Sequence, residues 1–400
     1  MNIIFLTQTL PYPLDSGGNI YNNAIIPTLL KLNHNIILFS FVDSEKKLKF
    51  EKYLEIMGCR IGKTIVNPLI SPKKSTLEEI NKIFNLLMNL FSQKPFSVSK
   101  FYNKSMSKYI IDTIKKENID CIWIDKLSMT QYLPSNLKAL KVLFLADIDS
   151  QIYNKVFLYN NSLIWKLFAI NEWIKYKFYE KKIFSKFDKI IAISEENKKR
   201  IKQIDNKLSP FVYLPYIYHK THQRKPDRRK TNNILFVGTL YWHPNKDGIY
   251  WFLKNVYPLL LKKNINFQIS IVGEKSKDMH FTYLHNVTFH GYKNNIEKFW
   301  KSASIFIVPI RFSAGIRMKI LEAMTHKIPI ISTLEGLEGL KVYNDREILI
   351  ANNAYEFAEK IQELLINKDL QKSLIKNSLA YLEKHFLESS TQNKLQQILN

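Results

Sequence analysis

The chain is predicted to be α/β, folded as two doubly wound domains that each carry a parallel sheet. Apolar strand-like runs alternate with helical patterns from Asn2 onward, and after a polar, basic interruption at His219 to Asn233 the alternation starts again at Ile234. A length of 400 residues, with 46% hydrophobic and 13% aromatic residues, is enough for two packed cores and argues against disorder.

Asn2 to Thr7 reads as a strand, Asn19 to Lys31 as a helix and Asn35 to Val42 as a second strand, a βαβ start typical of a doubly wound sheet. A helical, amphipathic and basic region follows from Ser75 to Lys116. Strands recur at Cys121 to Ile124, Val142 to Ala146 and Lys189 to Ile193. Between the last two, Ser162 to Phe187 forms a long helix rich in Trp, Phe, Tyr and Lys, which suits either an ordinary helix with aromatics facing the core or one lying at an anionic membrane surface. The segment His219 to Asn233, with Pro226 and no apolar period, reads as a linker. The predicted division is 1–218, a linker at 219–233, a second domain at 234–385, and a C-terminal helix at 386–400 that packs back on the first domain. No repeat of solenoid type is present.

The densest chemistry lies between Ala303 and Leu340. Ile305 to Val308 is a buried-type strand stopped by Pro309, Lys319 to Thr325 has helical spacing, and Pro329 opens a second β-branched run. Between strand and helix, Gly315, Arg317 and Lys319 set a flexible backbone and two cations at a helix N-terminus. Unpaired N–H groups and the helix dipole favour an anion there, so a phosphate would sit well. Two cations in a first turn oppose the dipole unless an anion answers them. Glu322 follows one turn on, sharing a face with Lys319. Singly, such charges are usually solvated side chains, and a Glu near a helix start often only complements the dipole.

Other classes are excluded by what is missing. The first βα loop holds Ser16-Gly17-Gly18-Asn19 rather than G-x-G-x-x-G, so nicotinamide binding is not expected. Gly17 and Gly18 suit close backbone approach to a ligand or an ordinary tight turn. There is no P-loop, zinc-ligand spacing or serine-hydrolase elbow. Cys59 and Cys121 lack paired or metal-type spacing and read as reduced core thiols. No run resembles a signal peptide or spans a bilayer, so the protein is expected on the cytosolic side. The net charge of +24 reflects either base composition or an anionic partner, for which nucleic acid, an anionic bilayer and a diphosphate-linked acceptor all qualify. No recognised nucleic-acid module is present, and the aromatics fall within apolar periods, so nucleic acid is not expected as a partner.

The pattern Pro309, Gly315, Arg317, Lys319, Leu321-Glu322-Ala323-Met324 and Pro329, then Ser332-Thr333 and Glu338-Gly339-Leu340, resembles the nucleotide-sugar half of a family 4 glycosyltransferase (glycosyl transferases group 1). FVGTLYWHPNKDGIYWFL at Phe236 to Leu253, ISIVG at Ile269 to Gly273, NVTFHGY at Asn286 to Tyr292 and PYPLDSGGNIYNN at Pro11 to Asn23 are similar to other family segments, in order. The family usually carries two glutamates with seven residues between them; here the first falls on Ala314, which resembles a subgroup that lacks it while keeping the Arg and Lys. Lys327 stands where the family usually has a helix-ending Gly, so it must accept a less favourable backbone or a different cap.

The resemblance implies two Rossmann-like domains facing a cleft (GT-B) and a retaining, hexosyl-type transferase of class EC 2.4 that uses a nucleotide-diphospho-sugar donor. Its acceptor would be a glycan or lipid-linked species of surface polysaccharide biosynthesis. Catalysis would rest on Arg317 and Lys319 for the diphosphate and on Glu322 for the ribose. Gly238, Thr239, Tyr292, Gly315, Ile316 and Glu338 would bind donor, with the backbone around Tyr292 at the base. Gly17, Gly18, Asp147 and Asp149 would lie on the acceptor side, although an Asp after a strand is also a common turn or N-cap residue. Asp125 and Lys126 occupy a similar position. Cations and backbone N–H groups can hold the leaving diphosphate, so neither a metal nor another cofactor is expected. A non-catalytic GT-B-like protein is the alternative, followed by a basic nucleic-acid-binding protein.

Overall fold

The computed structural model describes residues 1–10, 17–42, 47–66, 89, 92–159, 163–218, 232–263, 265–274, 284–293, 295–312 and 316–400. Most of the predicted linker, much of the predicted helical region after Ser75, Ala314 and Gly315 lie outside the described residues. The chain forms two compact units, Met1–Tyr216 with Thr391–Asn400, and Ile217–Ser390.

The first unit is a parallel sheet of β1 (Asn2–Thr7), β2 (Asn35–Val42), β3 (Arg60–Val66), β4 (Cys121–Asp125), β5 (Leu140–Leu145), β6 (Lys189–Ala192) and β7 (Phe211–Val212), in the order β3-β2-β1-β4-β5-β6-β7. Its central strands are continuous apolar runs such as Ile3-Ile4-Phe5-Leu6 and Cys121-Ile122-Trp123-Ile124, which suits strands covered on both faces. The crossovers include α1 (Gly17–Lys31), α2 (Lys47–Ile56), α3 (Phe96–Lys100), α4 (Lys104–Lys116), α5 (Asp149–Tyr159), α6 (Leu163–Phe184) and α7 (Glu195–Ile204). Cys59 and Cys121 are free and buried, and burial pushes both thiols up to about 12, so they act as small core groups.

The second unit holds β8 (Asn233–Val237), α8 (His243–Trp251), α9 (Tyr257–Lys262), β9 (Gln268–Val272), β10 (Val287–Gly291), α10 (Glu297–Ser302), β11 (Ile305–Val308), α11 (Met318–Thr325), β12 (Ile330–Ser332), β13 (Leu349–Ile350), α12 (Ala354–Ile366) and α13 (Lys368–Phe386). Its parallel sheet runs β10-β9-β8-β11-β12-β13. Where the chain enters and leaves this unit, Tyr218 N–H donates to the Phe386 carbonyl at 2.7 Å and Tyr218 pairs with Leu387. The last helix, α14 (Glu388–Leu399), starts there, and its residues from Thr391 belong to the first unit.

Both strand orders reverse direction once, between β1 and β4 in the first unit and between β8 and β11 in the second. Loops leaving the carboxyl ends of strands at such a point diverge and open a crevice, which is where open α/β sheets bind ligands. The fold thus directs attention to Thr7–Gln8 and Asp125–Lys126 in one unit, and to Gly238–Thr239 and the loop from Pro309 to Arg317 in the other.

Candidate active site

In the second unit the exits of β8, β9 and β10 are held by their own backbones. Gly238 N–H donates to the Val272 carbonyl at 2.9 Å, Gly273 N–H to the Gly291 carbonyl at 3.0 Å, and Leu240 N–H to the Glu274 carbonyl at 2.9 Å. Gly273 has φ +148°, and a Cβ there would lie 2.0 Å from the Gly238 oxygen, so only glycine permits this approach. The Thr239 carbonyl accepts from Asn245 Nδ2 at 2.9 Å, while its residue is exposed. Tyr292 follows β10 and is exposed.

The described start of the loop after β11, Pro309 to Arg311, is held by contacts distant in sequence. Arg311 donates twice to Asp247, at 2.8 and 2.6 Å, and this carboxylate raises the guanidinium further above its usual range. Gly248 brings α8 so near that a Cβ would lie 2.5 Å from the Pro309 carbonyl. Thr333 Oγ1 donates to the Ile310 carbonyl and accepts from Gly336 N–H at 3.1 Å. Asp247 and Arg311 are 64 positions apart, so no local pattern announces them.

Sequence reasoning puts Arg317 and Lys319 in the first turn; the structure refines this. Arg317 is the N-cap residue, with φ −88° and ψ 91°, and the helix begins at Met318. Ile316 buries its side chain, so only its backbone can serve a donor. The anion answering Lys319 comes from the chain itself: Lys319 Nζ donates to Glu322 Oε1 at 3.0 Å and Oε2 at 2.9 Å. The residues assigned separately to diphosphate and ribose are therefore partners here. Their side chains are 30% and 24% exposed, and an ion pair so open to water is worth about 0–1 kcal/mol, little enough for a ligand to redirect either group. Glu338 ends the short 3₁₀ turn Glu335–Leu337 and is part-exposed.

Lys327 takes the strained option. Its φ is +58°, Lys327 N–H donates to the Met324 carbonyl at 2.9 Å, and Ile328 N–H donates to the Ala323 carbonyl at 3.0 Å. This is a Schellman ending with lysine in the position glycine prefers.

In the first unit Gly17 and Gly18 begin α1, at the helix that follows β1. At the switch point Asp125 is buried and accepts from Thr7 Oγ1 at 3.0 Å and Asn22 Nδ2 at 2.8 Å; burial raises its carboxyl, and nearby Lys126 and these donors oppose the rise. It ties β1, α1 and β4 together. Lys126, at φ +75°, donates from Nζ to Gln8 Oε1 at 3.2 Å. Asp147 and Asp149 follow β5, one strand away from the switch point, and Asp149 opens α5. Burial, then Glu180 and Asp147, push the Asp149 carboxyl up to about 8. Fully buried Glu180 accepts from Ser150 N at 3.0 Å and Ser150 Oγ at 2.6 Å, and burial raises it to about 7. Sequence reasoning missed Glu180, which lies 30 positions from the turn it holds.

Two parallel-sheet α/β units of this kind define the GT-B fold. It is shared with the glycosyltransferase from Rickettsia africae ESF-5 (TM-score 0.65, 18% identity, covering 100% of this chain and 97% of that one). It is also shared with Anabaena Alr3699/HepE in complex with UDP (TM-score 0.65, 13% identity, 100% and 99%). Within the chain, residues 231–367 match the family described as glycosyl transferases group 1. Over nearly its whole length the chain is similar to an uncharacterized 44.6 kDa protein in the cps region of Klebsiella pneumoniae, at 24% identity and 96% of both chains.

Proposed function

We propose that the chain is a glycosyltransferase of surface-polysaccharide assembly, moving a sugar from a nucleotide-diphospho-sugar to a glycan or lipid-linked acceptor with retention of configuration. The observation that carries this is the second unit's switch point, where Gly238–Thr239 and the Arg317–Lys319–Glu322 group follow the two strands at which the sheet order reverses. Support comes from the group 1 match over this unit, from the UDP bound by the Anabaena relative in fold, and from the cps location of the Klebsiella relative.

In this reading Arg317, Lys319 and backbone N–H groups at the start of α11 take up the charge that develops on the leaving diphosphate. Lys319 leaves Glu322 for the phosphates, and Glu322 becomes free to accept from ribose hydroxyls. The leaving phosphate receives the acceptor proton, so no separate base is required. Cations in place of a carboxylate pair make turnover metal-independent. The test is a panel of UDP-, GDP- and TDP-sugars, read by thermal shift and by acceptor-free hydrolysis, with and without EDTA. One donor should stabilise the protein and be hydrolysed equally in both buffers. No shift with any donor would refute the donor reading, and activity abolished by EDTA and restored by Mg²⁺ would refute the metal-free clamp.

A further inference from the structure

Helix α6 buries three charged side chains, Glu172, Lys175 and Glu180, beside Ala169, Tyr176, Ile183 and Phe184. Glu172 is fully buried and accepts from Phe96 N at 2.7 Å and from Lys175 Nζ at 2.9 Å. Lys175 also donates to the Asn89 carbonyl at 2.6 Å, Tyr179 bonds Thr130 at 2.9 Å, and Glu180 holds Ser150. These bonds fix the rotation of the helix, because turning it would strip buried charges of their partners, at a cost of several kcal/mol.

What that rotation leaves outside is apolar. Leu163, Ile164, Leu167, Ile174 and Phe178 are 71%, 79%, 62%, 48% and 74% exposed. At 3.6 residues per turn they fall within about 100° of the helix circumference, one continuous stripe. Leu158, at the end of α5, is also exposed. Lys177, Lys181 and Lys182 are exposed along the C-terminal part of the helix. Its two acids, Glu172 and Glu180, are both buried, so the outer charge of α6 is solely positive. Of the aromatics from Ser162 to Phe187, Tyr176, Phe184 and Phe187 face the core, whereas Trp165 and Phe178 are exposed. Lys175 is 9% exposed and paired with Glu172.

We propose that this outer face of α6 docks on a bilayer containing anionic lipid, with the aliphatic and aromatic stripe entering the interface and the lysines meeting the headgroups. Charge selects this occupant. A second copy of a chain carrying +24 would bring lysines against lysines, whereas an anionic surface complements them. Docking adds a place of action to the glycosyltransferase reading and does not rest on it, because lipid binding is measured without donor.

The test is sedimentation of the full chain with vesicles of phosphatidylcholine alone, or with about one third phosphatidylglycerol, across a salt series. Binding should require the anionic lipid and fall as salt rises. Replacing Ile164, Leu167 and Phe178 together by Ser should lower partitioning about tenfold or more, with the melting temperature unchanged because all three side chains are exposed. Replacing Lys177, Lys181 and Lys182 by Gln should lower it about fivefold per lysine and flatten the salt dependence. Wild-type binding by the Ser variant, no binding to anionic vesicles at low salt, or self-association through this face without lipid binding would each overturn the proposal. Hydrolysis of a soluble donor should be the same in all variants, so its failure bears on the enzyme reading alone.

Discussion

Replacing Lys319 by Ala separates a catalytic cation from a structural one, because the two roles differ in magnitude. In the structure Lys319 contributes a bidentate but water-accessible pair with Glu322, at 2.9 and 3.0 Å. A pair of that exposure is worth at most about 1 kcal/mol, which lowers the melting temperature by about 2–4 °C in a unit of this size. Losing one transition-state donor to a leaving diphosphate costs about a hundredfold in turnover, or about 2.7 kcal/mol. The variant should therefore melt almost like wild type and hydrolyse donor about a hundred times more slowly. Glu322→Gln keeps the shape, removes the pair, and should raise the donor KM or lower turnover with a similarly small thermal effect. The assay is steady-state hydrolysis of the donor that gives the largest thermal shift, with melting measured on the same preparations. Near-wild-type turnover by well-folded Lys319→Ala, or a Glu322→Gln variant that binds and reacts normally but melts much earlier, would refute the reasoning and leave the pair a helix-face ion pair.

Three further outcomes follow from local physics. Lys327→Gly relieves the φ of +58° while keeping both hydrogen bonds of the helix ending, and should raise stability by about 0.5–1 kcal/mol with unchanged turnover; a lower melting temperature would refute the strain. Gly273→Ala forces a Cβ against the Gly238 carbonyl and should cost about 3 kcal/mol or more, so a variant with wild-type melting would show that the strand exits are not so closely packed. Burial favours protonated Glu180 and Asp149 in the folded state, so their contribution to stability is complete below their unfolded values of 4.5 and 3.8 and is lost as pH rises through about 7 and about 8. The melting temperature should fall across that window, and Glu180→Gln should make the fall shallower; an unchanged slope would count against a buried, proton-binding Glu180.

Apolar runs made the sheets legible, since a strand covered on both faces is apolar at most positions: Asn2–Thr7, Asn35–Val42 and Ile305–Val308 were placed to the residue. The helix from Lys319 to Thr325 was legible from its local apolar spacing, and its end at Lys327 from the resemblance. The long helix before Phe187 was legible as a helix, and its content of lysine and aromatics was plain. Its facing was not, because charged residues ordinarily turn outward, and only partners on distant segments, Phe96, Asn89 and Ser150, could draw Glu172, Lys175 and Glu180 inside. The same limit hid Asp247 beside Arg311 and the role of Asp125 as a tie between β1, α1 and β4. By itself, then, the sequence determined the elements, their α/β alternation and the position of the helix that carries Lys319 and Glu322, all set by interactions within a few residues. Only the tertiary structure decided the strand order with its two switch points, the pairing of Arg311 with Asp247, and the outward apolar face of α6. Those depend on which side-chain rotation and which distant partner give every buried charge and hydrogen-bonding group an answer.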